Sequence, residues 1–194
     1  MDQAKLARVA RKIKDNESHY GLEYTPVFMV PIAFFVNNSV TVDNLSTQQI
    51  LDIFAGKITN WQEVGGKNKI IQVIRREEED SALINLRNLF PGFKDLVISE
   101  KARQVETTPT MIAQIHKVED TISWGPLDVG LANNLKALKI NNIDPASEAY
   151  PYFGEVALVY KAKNLTGNAK KFVDFATSAA AHDAIAKAGG ISLK

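Results

Sequence analysis

The chain has 194 residues, no cysteine, 45% hydrophobic and 23% charged residues, and a formal net charge of +1. This describes one ordinary domain or two small lobes with a real core, and excludes a disordered or fibrous chain. The near-neutral charge argues against a nucleic-acid grip by bulk electrostatics, the lack of cysteine excludes disulfides, thiolate metal sites and cysteine nucleophiles, and no apolar run approaches the roughly 20 residues of a membrane span.

Residues 3 to 15 place Leu6, Val9 and Ile13 on one helical stripe, with Lys5, Arg8, Arg11, Lys12 and Lys14 over the rest, which predicts a basic amphipathic helix. A solvated face on a packed helix is the plain reading; a membrane surface or an acidic partner is the functional one. No apolar core or small-residue cleavage site follows, so this start is not read as a secretory signal. Pro26 introduces VFMVPIAFFV, residues 27 to 36, a strand buried on both faces.

Leu45 to Trp61 is a helix with both ends written out. Ser46 and Gln49 form a capping box, Leu45 and Ile50 a hydrophobic staple, and Ile50, Leu51 and Phe54 share a face. Gly56 sits where a left-handed C-terminal residue belongs, and Ile58 and Trp61 anchor the exit. Gly65-Gly66-Lys67-Asn68 makes a turn into a second buried strand, Ile70 to Ile74, which ends at Arg75-Arg76. The next helix starts at Asp80 or Ser81, is apolar at Leu83, Ile84, Leu86, Leu89 and Phe90, and stops at Pro91-Gly92. Thr108 as N-cap and Pro109 at the first helical position start another helix, carrying Met111, Ile112 and Ile115. A strand over 121 to 124, a helix over 127 to 139, a polar connection over 141 to 148, a strand over 155 to 160 and a final helical region begun by Phe172, Val173, Phe175 and Ala176 complete an α/β pattern.

Pro31 to Arg76 carries a resemblance: PIAFFVNN, then LSTQQILDIFAGKITNW, then EVGGKNKIIQVIRRE. This run resembles the second lobe of the phosphate-binding solute receptors of ABC transporters, the type II periplasmic binding proteins. TISWG at 121, YPYFGEVALVYK at 150 and KKFVDFATSAAAHDAIAKAGG at 170 follow in the family's order. The resemblance implies two α/β lobes with mixed sheets flanked by helices. Residues 32–147 would form the central lobe, and 1–31 plus 148–194 an outer, first lobe. Roughly the first quarter of the family pattern has no counterpart, so the first lobe is expected to be incomplete and the strand at 156 to 160 to have an open edge. The resemblance further implies a periplasmic or extracellular receptor, a small-molecule or anionic solute, an ABC permease as partner, and no cofactor. The open edge adds the expectation of a homo-dimer or a second chain that completes the lobe.

A strand, Arg75-Arg76 and a helix N-terminus are a sound design for holding an oxyanion, because a planar guanidinium and free backbone N–H groups converge. Arg76 matches the family's arginine, but Glu79, Asp80, Ser81 and Ala82 stand where the family has Gly-Ser-Gly-Thr. Arg75, Arg76, Asp80 and Ser81 are therefore the candidate ligand-binding residues, beside four carboxylates at 77 to 80 that disfavour an anion. Asp80 as a helix N-cap is the structural alternative. A further reading pairs Arg76 internally and leaves a site for a cationic or neutral ligand. His19, His116 and His182 lack metal spacing, and Trp61 and Trp124 are assigned to the core, with ligand stacking as the alternative. A receptor with an altered or lost anion site is favoured over a degenerate fold serving as a sensor or interaction module. No nucleophile, base and metal set is assembled for an enzyme.

Overall fold

The computed structural model describes residues 5–193, a succession of strands and helices. In order they are β1 (Ala7–Val9), β2 (Glu23–Val36), β3 (Asn44–Leu45), α1 (Thr47–Phe54), β4 (Gln72–Arg76), α2 (Ser81–Leu89), β5 (Arg103–Val105), α3 (Thr108–Lys117) and β6 (Thr121–Pro126). They continue with α4 (Leu127–Ala132), β7 (Lys136–Ala137), β8 (Lys139–Ile140), β9 (Phe153–Tyr160), α5 (Gly167–Ala176), α6 (His182–Lys187) and β10 (Ile191–Ser192). The chain divides into two compact units, Met1–Val30 with Gly154–Lys194 and Pro31–Phe153.

In the unit Pro31–Phe153, the end of β2 runs antiparallel to β6, with Ile32 opposite Pro126 and Val36 opposite Ile122. β6 lies parallel to β4, and β4 parallel to β5, so the sheet is mixed. Alternation along β2 and β6 divides the core between two faces. Phe34, Val36, Ile122 and Trp124 pack with Ile50, Phe54, Leu83 and Leu86 of α1 and α2. On the opposite face Ala33, Phe35 and Ile74 pack with Met111 and Ile115 of α3 and Leu127 of α4. Gly130 is required there, because a Cβ would meet the Phe35 ring at 2.1 Å.

Local signals and packing agree in α1. The Ser46 side chain accepts from Gln49 N, Gln49 Oε1 accepts from Ser46 N at 2.8 Å, and Gly56 closes the helix at φ 75°. Phe54 is wholly buried against the rings of Phe34, Phe93 and Trp124. Trp61 is also core, and its indole Nε1 donates to the carbonyl of Asp120 at 3.0 Å. Gln72 N donates to the same carbonyl at 2.9 Å, so the turn before β6 is tied to the start of β4. Asp120 itself is left-handed, at φ 59°, and its N–H is held by Ser39 Oγ at 2.8 Å.

In the other unit, β9 lies between β1 and β2, and β10 pairs with β2 at Met29 and Phe28. Val27, Leu158 and Val173 form its core. Beside them lies an apolar groove of about 420 Å³, lined by Leu6, Val27, Phe28, Phe172, Phe175 and Ile185 among others.

Several sequence expectations are corrected. Residues 3 and 4 lie outside the described residues; from Lys5 onward there is no α-helix through residue 15, because Ala7–Val9 pairs antiparallel with β9 and a 3-10 turn follows at Asp15–Tyr20. The same pairing, Ala7 opposite Val159, supplies the neighbour that the strand at 156 to 160 was expected to lack. The strand expected over 70 to 74 is shifted to Gln72–Arg76, and Ile70, held only in a bridge to Asn60, is 67% exposed. Leu51 is only half-buried while Ile53 is fully buried, so the inner face of α1 is rotated. Leu89, expected on the apolar face of α2, is exposed, as are Phe172 and Phe175 on α5. The cap of α3 is Thr107, whose hydroxyl accepts from Thr110 N, and Thr108 is already helical. The helix expected over 127 to 139 ends at Ala132. Beyond it Asn134 turns left-handed, Lys136 Nζ donates to the carbonyls of Val40 and Val42, and Leu138 N donates to Phe34 O. These tertiary bonds outweigh the helical preference of the segment.

Candidate functional site

β5, β4 and β6 are parallel, so their carboxyl ends and the helices that follow converge on one side, where open α/β sheets gather ligands. Arg76 ends β4 there, and its side chain is only 9% exposed. One edge of the guanidinium, Nε and Nη2, donates to Glu77 Oε2 and Oε1 at 2.9 and 3.0 Å, a bidentate fork. Nη2 also reaches the carbonyl of Glu106 at 3.3 Å. On the other edge, Nη1 donates to Thr108 Oγ1 at 2.8 Å and lies 3.4 Å from Asp80 Oδ2. Burial disfavours the charge on Glu77, but the Arg76 hydrogen bond, its own backbone donor and the Arg76 charge together hold its pKa below the usual carboxylate range.

Asp80 is buried and shared by three donors. Its Oδ1 accepts from Leu83 N at 3.0 Å, which makes it the N-cap of α2, and from the Trp124 indole Nε1 at 3.2 Å; its Oδ2 faces Arg76. Arg75, Asp80, Arg76 and Ser81 are thus neighbours along the chain with different duties. Arg75 Nη2 pairs with Glu78, which also accepts from Arg87 Nη2 at 2.9 Å. Ser81 opens α2, and its carbonyl accepts from Asn85 Nδ2 at 2.8 Å. The structure brings Arg76 and Asp80 into one network and directs Arg75 into another. Glu77, Thr108 and Trp124 complete the first network. Glu77 was legible as one of the acids at 77 to 80, whereas Thr108 and Trp124, 32 and 44 residues away from their partners, carry no local signal. No cluster of His, Cys, Asp and Glu suited to a metal occurs among the described residues. His19, His116 and His182 are exposed, and both tryptophans are core.

The family model of the PBP superfamily domain matches residues 1–180. The chain belongs to the PBP superfamily. Relatives named as phosphate-binding proteins match it. The phosphate-binding protein PstS of Borreliella burgdorferi is 22% identical over 205 residues, covering 98% of this chain and 73% of the relative. That of Bacillus subtilis is 27% identical over 159 residues, covering 78% of this chain and 51% of its own length. The chain therefore spans about three quarters of one of these PBP relatives and about half of the other. A Clostridium perfringens protein, named for phosphate ABC transporter substrate binding and solved with phosphate bound, superposes with a TM-score of 0.88 at 26% identity, covering 98% of this chain and 80% of that one. An ABC-type phosphate transport receptor from Vibrio cholerae, 22% identical with a TM-score of 0.67, agrees in fold over 98% of this chain. The mixed α/β architecture is thus that of the PBP fold.

Proposed function

We propose that this chain is a solute-binding protein of an ABC transport system, working in the periplasm or outside the cell beside a permease, with a site closed to free phosphate. The names of its PBP relatives support the transport role. One observation carries the closed site: the Arg76 guanidinium, at the carboxyl end of β4, meets two carboxylates, a hydroxyl and a carbonyl of its own chain. An incoming phosphate would have to displace Glu77 and approach Asp80, and like charges within about 4–6 Å disfavour that strongly. Isothermal titration with inorganic phosphate near neutral pH is expected to give no binding tighter than about 0.1 mM, roughly 5.5 kcal/mol. A micromolar constant would refute the closed site and restore a phosphate receptor.

A second reading, an interaction module that pairs with another copy or a second chain, draws on the half-exposed Phe172 and Phe175 beside the apolar groove. Light scattering decides between them. A module of this kind should self-associate or capture a second chain, and should lose that property on Phe175→Ser, whereas a receptor's hydrodynamic size should not respond.

A further inference from the structure

We propose that Glu77 is the residue that sets ligand specificity at this site: its carboxylate acts as a tethered ligand on the guanidinium edge that would otherwise take an external oxyanion. This rests on the closed-site reading above. The two acids on Arg76 are not equivalent. Asp80 is fixed by the first turn of α2 and by the Trp124 indole as well as by Arg76, and its side chain is 9% exposed. Glu77 takes the Nε and Nη2 edge, and its side chain is 22% exposed, so it stands on the solvent side of the network. Asp80 is part of the frame, and Glu77 is the removable member.

The geometry Glu77 satisfies is that of a bidentate oxyanion: two parallel N–H donors from a nearly buried planar cation. Tethering gives this carboxylate an effective concentration of millimolar or more, enough to exclude a dilute solute. Glu78 is no replacement, because it is already shared by Arg75 and Arg87. Without the Glu77 carboxylate the site would retain one positive charge on Arg76 and one negative charge on Asp80, with the fork facing solvent and unfilled. Two N–H donors of a nearly buried guanidinium left without their acceptors are unfavourable, so the edge should recruit a small monoanion in place of the lost carboxylate.

The test is titration of wild type, Glu77→Ala and Glu77→Gln with inorganic phosphate in mildly acidic buffer, where phosphate is largely the monoanion, with melts by circular dichroism to establish folding. Glu77→Ala is expected to bind at least about tenfold more tightly than wild type, with a matching phosphate-dependent rise in its melting temperature. The isosteric Glu77→Gln keeps one acceptor, and should show a smaller gain in the same direction if the alanine variant does not fold. Adding Arg76→Lys to Glu77→Ala keeps the charge, removes the fork and should abolish the gain. Folded Glu77 variants with no gain over a non-binding wild type would overturn the role of Glu77 while leaving the closed-site reading intact. A gain that survives Arg76→Lys would overturn it too, by placing the anion elsewhere. Micromolar binding by wild type would refute the closed-site reading itself.

Discussion

Replacing Asp80 separates the two duties of its carboxylate. In Asp80→Ala the N-cap of α2 is lost, at about 0.5–2 kcal/mol, and the buried Trp124 indole N–H loses its acceptor, at about 1–3 kcal/mol. Arg76 loses one acid but keeps the Glu77 fork, so its charge is not abandoned. The alanine variant should therefore be destabilised by about 1.5–5 kcal/mol. Asp80→Asn retains an oxygen that can serve both Leu83 N and the indole, and puts an uncharged amide NH2 in place of the acceptor 3.4 Å from Arg76 Nη1. A paired buried charge offset by its own desolvation has a small net value, so the asparagine variant should cost about 1–3 kcal/mol less than alanine. Urea unfolding of the two variants and wild type at one pH, with unchanged m-values, measures the difference directly. If asparagine were as costly as alanine, charge pairing would dominate, and the account of Asp80 as cap and indole acceptor would be wrong.

Ser46→Ala removes one half of the α1 capping box and should cost about 0.5–2 kcal/mol, whereas Phe54→Ala opens a cavity among aromatic rings and should cost about 3–5 kcal/mol in the same melts. Equal effects would contradict a capped, packed helix. The pH dependence of stability should contain a Glu77 contribution. Its pKa is depressed in the folded protein, so its share of stability is whole above the unfolded carboxylate value of about 4 and is lost as pH falls through the lower folded value. Urea melts of Glu77→Gln across that acid range should show a shallower fall than wild type; parallel curves would mean that Glu77 is not held by Arg76. Burial and the Glu155 carboxylate both raise the Tyr24 hydroxyl above the usual tyrosine range. Its contribution is therefore present below the unfolded value of about 10 and lost as pH rises beyond it, so Tyr24→Phe should flatten the alkaline limb of the stability profile.

Features specified by neighbouring residues were legible in the sequence. The box between Ser46 and Gln49, the left-handed Gly56 and the Asp80 cap all lie within one helical turn of what they satisfy. Most of the strands and helices followed from apolar patterning, and the burial of both tryptophans from their place at element exits. The failures come from partners far along the chain. Leu6, Val9 and Ile13 have helical spacing, yet Ala7–Val9 becomes a strand because β9, some 150 residues later, offers it an edge. Residues 133 to 139 have helical composition, but Lys136 is tied to carbonyls at 40 and 42. At the site, the conflict between an arginine and a run of acids could be read from the sequence. Its resolution could not, because the position of Thr108 against one guanidinium edge and of Trp124 against Asp80 is set by which strands lie side by side.

The carbonyl of Asp120, receiving both the Trp61 indole and Gln72 N, works as an alignment pin for two parallel strands. It holds Gln72 opposite Thr121 at the amino ends of β4 and β6, while the indole and carboxylate that must meet, Trp124 and Asp80, belong to the opposite ends. Strand pairing admits only whole-residue steps, and one step turns every side chain to the other face. A fault at the pin therefore cannot fade with distance as an elastic strain would; it reaches the far end undiminished, as a tryptophan facing the wrong core and a guanidinium stripped of its frame. Residue 120, at the amino ends of these strands, thereby bears on an arginine network at their carboxyl ends.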